Sequence, residues 1–117
     1  SADVQLKLNK HSSADTASLL FQTAHAVRAE LGTTADDHLH LKVTPDGTTW
    51  TEALVVDGAS AELTLGGALA LRSCELASLP PAAPAGRLVF VSDAPLGSCV
   101  AFSDGVDWRR VSDRSVL

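Results

Sequence analysis

The stretch His38–Val56 constrains the fold more than any other part of the chain. Leu39, Leu41 and Val43 alternate with His38, His40, Lys42 and Thr44, the period-2 pattern of a strand with one dry face. Thr44-Pro45-Asp46-Gly47-Thr48 then reverses the chain. Proline presets φ for a turn, aspartate accepts bonds from nearby backbone N–H groups, and glycine supplies positive φ. Trp50–Val56 runs back, rich in β-branched and aromatic residues. The pattern predicts a β-hairpin with Asp46, Gly47 and Trp50 as its structural turn residues.

The same device recurs near the C-terminus. Phe102-Ser103-Asp104-Gly105-Val106-Asp107-Trp108 repeats the order hydrophobe, hydroxyl, Asp-Gly, two residues, tryptophan. Asp104, Gly105 and Trp108 are therefore expected to shape a second hairpin, each large ring folding over its own turn to bury area that a short sheet lacks. The spacing resembles the Asp-box hairpin of sialidases and other β-proteins, in a form one residue shorter. In that motif the aspartate and the aromatic residue are structural, so the resemblance implies no glycosidase chemistry.

The remaining chain reads as further short strands. Val4–Leu8 alternates cleanly and predicts a strand, followed by a polar, turn-rich Asn9–Ala14. Residues 16–31 have two readings. Leu20, Ala24, Val27 and Leu31 fall at helical spacing, with Asp15 placed to cap the start and Gly32 to end it. Two strands, Ser18–Thr23 and Arg28–Leu31, would instead flank a turn near His25-Ala26. Ala61–Leu65 and Ala68–Leu71 alternate around Gly66-Gly67, a hairpin turn or a glycine kink in one winding strand. The expected division is a hairpin segment over 1–78, a Pro/Ala-rich connector over 79–86, and a three-stranded antiparallel meander over 87–117. The meander's strands are Arg87–Ser92, Ser98–Ser103 and Trp108–Val111. The fold class is all-β.

Composition matters here through what supplies the core. Phe21, Trp50, Phe90, Phe102 and Trp108 are the only aromatic residues, methionine is absent, and much of the apolar content is alanine. A lone domain of this size buries roughly two-thirds of its unfolded surface, and alanine contributes little to that. Sharing one interior among several copies is the expected remedy. A chain beginning Ser1-Ala2-Asp3 without methionine is expected to be a processed product or the tail end of a longer one. A net charge of −5 argues against nucleic acid. No apolar run approaches the roughly 18 residues of a membrane span, and no signal peptide is visible. Cys74 and Cys99 lack metal-ligand spacing and are expected to be free, largely buried thiols rather than a disulfide.

Candidate chemical groups are few. His38 and His40 share one strand face and are expected to point to solvent, because Leu39, Leu41 and Val43 need the dry side. Metal binding there is not expected, and Asp36-Asp37 read as loop residues. Glu52, Asp57 and Glu62 supply carboxylates, but no spacing fixes a catalytic pair. No serine sits in a nucleophile elbow, and Gly66-Gly67 lacks the lysine and helix of a phosphate loop. The expectation is no enzyme, no cofactor and no metal. Arg28 and Glu30 share a strand face and would pair with a neighbouring copy or lie solvated. Arg109-Arg110 beside Trp108 would stack on the ring, meet an anionic glycan, or lie on the surface of a packed tryptophan.

Several stretches, taken in order, resemble the C-terminal part of tail-fibre proteins of bacteriophages, prophages and gene-transfer-agent particles. They are Leu8-Asn9-Lys10, Asp15–Thr23, Arg28-Ala29-Glu30, Lys42–Trp50, Gly86–Asp93 and Phe102–Arg110. The resemblance spans nearly the whole chain and rests on the order of the motifs. It implies a β-rich virion component, trimeric and intertwined, that helps the particle meet its host. It favours strands over 16–31, although relatives carry glycines where this chain has Ala24-His25-Ala26-Val27. The implied partners are two further copies, other tail or baseplate proteins, and host surface polysaccharide, bound through residues that the resemblance leaves unidentified. The implied location is the virion, after assembly in the bacterial cytoplasm. Three copies wound about one axis would also pair glycine-punctuated strand edges and bury Leu63, Leu65, Leu69 and Leu71. The rival readings are a carbohydrate-cleaving tailspike fragment and a monomeric carbohydrate-binding module.

Overall fold

A computed structural model describes residues 2–117. The chain is all-β, the one helical element among the described residues being a short 3-10 turn at Leu76–Ser78. It divides into two compact units, the first ending at Leu69 and the second running Ala70–Leu117.

The first unit is one antiparallel sheet of five strands in sequential order: β1 (Thr16–Thr23), β2 (Ala26–Thr34), β3 (Leu39–Val43), β4 (Thr51–Val56) and β5 (Leu63–Leu65). Residues 16–31 are thus strands, and the helical spacing of Leu20, Ala24, Val27 and Leu31 is coincidental. Ala24 and His25 form the two-residue turn between β1 and β2, with φ of 50° and 67°. Positive φ at both central positions matches the twist of a tight hairpin, the geometry glycine or asparagine adopts more cheaply. The hairpin of β3 and β4 forms around Asp46-Gly47 as its alternation predicts.

Other expectations fail for identifiable reasons. Val4–Leu8 joins no strand pairing among the described residues, and Val4 and Leu6 are 96% and 79% exposed. Alternation prepares a strand, but a strand exists only where a neighbour accepts its hydrogen bonds. Ala68–Leu71 likewise stays outside the sheet. Gly66 bends the chain out of β5, its N–H donating to the Ala53 carbonyl at 3.0 Å so closely that a Cβ would collide with the backbone of Glu52.

The second unit is a four-stranded sheet: β6 (Ser73–Cys74), β7 (Leu88–Val91), β8 (Cys99–Ser103) and β9 (Trp108–Arg110). The last three form the expected antiparallel meander, and β6 adds a parallel edge to β7 that no local pattern signals. The Pro/Ala-rich 79–86 stretch is built into this unit. Its carbonyls, outside any ladder, take the indole N–H of Trp108 at Pro80 (2.7 Å) and the Ser103 hydroxyl at Pro84 (2.8 Å). Every buried hydrophobic residue of the described chain lies here: Cys74, Val89, Val91, Ala94, Ala101 and Trp108. Cys74 and Cys99 are free. Both pair with Val91 from opposite sides, which sets them two strand spacings, about 10 Å, apart and beyond disulfide reach.

Candidate interaction surface

The register of the first sheet sorts its residues into rows, since residues directly opposite one another point to the same side. One row is Leu19–Leu31–Leu41–Leu54–Leu65, a leucine from each of the five strands. The row on one side is Ala17–Thr33–Leu39–Val56–Leu63, and on the other Phe21–Ala29–Val43–Thr51. This face carries no charged residue. Five strands and three rows make it roughly 20 Å by 20 Å, about 400 Å² in projection, the size of the largest apolar patch on an ordinary monomer and a candidate interaction surface. Its outer members are open to solvent: Phe21 is 52% exposed, Leu63 58% and Leu39 42%. No residue of this unit's apolar face falls in the buried class; its buried residues are Thr34, His40 and Thr44.

The opposite face alternates with the first and is mixed and polar. Glu30, Lys42 and Glu52 lie in register across β2, β3 and β4, so Glu30 neighbours a lysine of its own chain. Ser18 also donates its hydroxyl to Glu30 at 2.7 Å, while Arg28 turns to the Val27 carbonyl at 3.0 Å. His40 is on this side and is 8% exposed, which reverses the expectation of a solvated imidazole. The inversion has a simple cause. No residue of the apolar side is buried, whereas the polar side holds Asp36 and Glu52 against the ring. Asp36 Oδ1 lies 2.7 Å from His40 Nε2, and Glu52 Oε1 bonds His40 Nδ1. With a carboxylate at each nitrogen the arrangement favours the cationic ring, which can donate to both. Burial pulls the His40 pKa down, but the bonds to Asp36 and Glu52 outweigh it and hold it above 6.5. The bond from His40, with help from the His38 N–H, holds Asp36 below 3.8. This cluster ties the β2–β3 loop to β4. Among the described residues no group of three or more His, Cys, Asp or Glu is arranged to hold a metal ion.

The aspartates singled out in the sequence are bound to backbone. Asp46 Oδ1 accepts from the N–H groups of Thr49 (2.8 Å) and Thr48 (2.9 Å), which lower its pKa well below the usual range. Asp104 accepts from Asp107 (2.6 Å) and Val106 (2.8 Å) and pairs with Arg109 at 2.5 Å. Those groups lower it to about 2. Asp57, a carboxylate weighed for catalysis, makes the same turn with Ser60 and Ala59, both at 2.8 Å. Glu52 is engaged with His40, and the Asp57 N–H donates to the Glu62 carbonyl at 2.9 Å. Gly47 and Gly105 take φ of 83° and 97°, as an Asp-Gly turn requires.

The two tryptophans differ. Trp108 is 6% exposed, with the Arg87 guanidinium 5.6 Å from its ring centroid. The cation on the ring is therefore Arg87, not Arg109 or Arg110. Arg109 serves Asp104 and the Arg114 carbonyl, and Arg110 is buried on the Pro95 carbonyl. Trp50 is 38% exposed. A shallow open hollow of about 460 Å³ in the second unit is lined by Leu96–Val100 and Arg110–Ser112. Among the described residues no helix is long and apolar enough to cross a membrane. Models of known protein families, curated proteins and solved structures give no match to this chain.

The sequence reading missed the apolar grid because it needs cross-strand register. Its signal was present in β1, β2 and β3, where Leu19, Leu31 and Leu41 each stand at the centre of three residues spaced two apart.

Proposed function

We propose that this chain is a structural segment of a phage or phage-like tail fibre, of the kind carried by gene-transfer-agent particles, and that it acts as an intertwined homotrimer in host attachment. The observation that carries the reading is the uncovered apolar face of the five-stranded sheet. A single-layer sheet with one dry side is unstable in isolation, and copies packed about an axis supply the missing layer. The order of motifs from Leu8-Asn9-Lys10 to Phe102–Arg110 supports the tail-fibre assignment. Attachment then works by multivalency: weak contacts with surface polysaccharide, repeated by symmetry, add up to firm binding. The place of action is the virion, beside other tail or baseplate proteins.

Two measurements test the reading. Sedimentation equilibrium should give a mass of about 36 kDa, three times the 12.1 kDa chain. Antibody against the chain should decorate the tails of intact particles in electron micrographs, and cross-linking of those particles should join it to tail proteins. A monomer, or label absent from the tails, defeats the proposal. Incubation with purified surface polysaccharide should leave its chain length unchanged; shortening would favour the tailspike alternative.

A further inference from the structure

The first unit leaves two apolar surfaces unpaired, and they have matching dimensions. One is the sheet's dry face, which ends at the free edge of β1; that strand pairs with β2 alone. The other is the Val4–Leu8 arm. Its Val4, Leu6 and Leu8 share one side at strand spacing and are 96%, 79% and 49% exposed, with Gln5 and Lys7 on the other side. We infer that Val4–Leu8 of one copy adds to the free edge of β1 in a neighbouring copy, as a sixth strand that extends the neighbour's apolar face.

Pattern supports the match. The arm's five residues equal the length of β3, and residues two apart in a strand are separated by about 7 Å, the row spacing of the grid. Val4, Leu6 and Leu8 would continue the rows that begin at Ala17, Leu19 and Phe21. Lys7 would fall on the opposite side, which carries Glu30 and Glu52. Pairing along β1 also supplies hydrogen-bond partners for an edge that otherwise invites uncontrolled association.

Geometry sends the arm to another copy. Its base is held by Lys10, whose ammonium donates to the carbonyls of Thr33 (3.4 Å) and Asp36 and pairs with Asp37 at 3.2 Å. Those groups lie at the end of β2 and in the β2–β3 loop, on the side of β1 already occupied. The tether at the arm's base thus reaches toward β2 and its loop, and not toward the free edge of β1.

This inference rests on the part of the proposed function that has copies sharing one interior, and not on host attachment. A photo-cross-linking residue, benzoylphenylalanine, replaces Leu6 in the full chain, and the products are mapped by mass spectrometry. Covalent oligomers joined from position 6 to residues 17–21 of another chain are expected. Oligomers linked elsewhere overturn the arm exchange and leave assembly intact; a chain that is monomeric in solution and links only to itself overturns both. As a second measurement, Leu6→Asp should weaken association at least about tenfold while Gln5→Asp, one residue away on the polar side, changes it less than about twofold. Equal effects of the two substitutions also overturn the inference.

Discussion

The two Asp-Gly hairpins use nearly the same residues and end in different environments. Around Asp46 and around Asp104 the carboxylate gathers two backbone N–H groups, glycine takes positive φ, and tryptophan follows three residues after the glycine. Yet Trp108 is the largest member of a core and Trp50 keeps over a third of its surface in solvent. The difference lies in what surrounds each hairpin. In the second unit a proline-stiffened stretch passes the ring, offers a carbonyl to its N–H, and is joined by Arg87 above the indole. In the first unit all five strands form a single sheet, and no residue of its dry face is buried. A turn motif thus specifies where the chain reverses, and the burial of its aromatic residue depends on a second layer.

The largest expected effect separates the two tryptophans. Trp108→Ala should cost about 3–5 kcal/mol in urea unfolding of the second unit, the range for emptying a packed aromatic site. Trp50→Ala should cost about 1 kcal/mol, the usual size for a partly exposed position. Equal losses would remove the contrast between the units. Next, Leu41→Asp places a charge at the centre of the leucine row and should weaken self-association about 30-fold, read by sedimentation, with Trp108 fluorescence unchanged. Unchanged assembly would mean that the dry face is not an interface.

Smaller changes sharpen the account of the first sheet. Replacing Ala24-His25 by Asn-Gly should stabilise it by about 1 kcal/mol, because both residues then accept positive φ without strain. The smallest effect is a pH dependence. The His40 pKa is raised above 6.5 in the folded state, so its contribution is complete below that value and fades as pH rises through the higher folded value. The Asp36 pKa is lowered below 3.8, so its contribution is complete above that value and fades as pH falls through the lower folded value. Thermal unfolding should therefore show the first unit at its most stable from about pH 4 to about 6.5, and His40→Gln should flatten the alkaline side of that window. A profile that stays unchanged in His40→Gln would show that the cluster is not what holds the β2–β3 loop.

Local chemistry was legible wherever a residue's role depends on its near neighbours. Asp46, Gly47, Asp104 and Gly105 bond within their own turns, so their spacing announced both hairpins. The meander of β7, β8 and β9 followed from the same punctuation. His40 was misread because its exposure depends on which sheet face is covered, and Asp36 and Glu52 reach it from separate elements. Val4–Leu8 was misread as a paired strand because alternation carries no information on whether a neighbour is within reach. A packed Trp108 was among the readings its neighbours allowed, but the cation over its ring, Arg87, arrives from 21 residues away and has no local signal.

Alternating hydrophobes, Asp-Gly turns and a shortage of bulky residues were enough to make this chain all-β and short of interior, since each property acts over a few residues or over composition as a whole. Which leucines align in one row, which histidine is buried and which tryptophan is packed depend on pairings between distant segments. Those pairings follow from the closing of hydrogen-bond ladders, a condition met by the assembled sheet and by no single stretch of it.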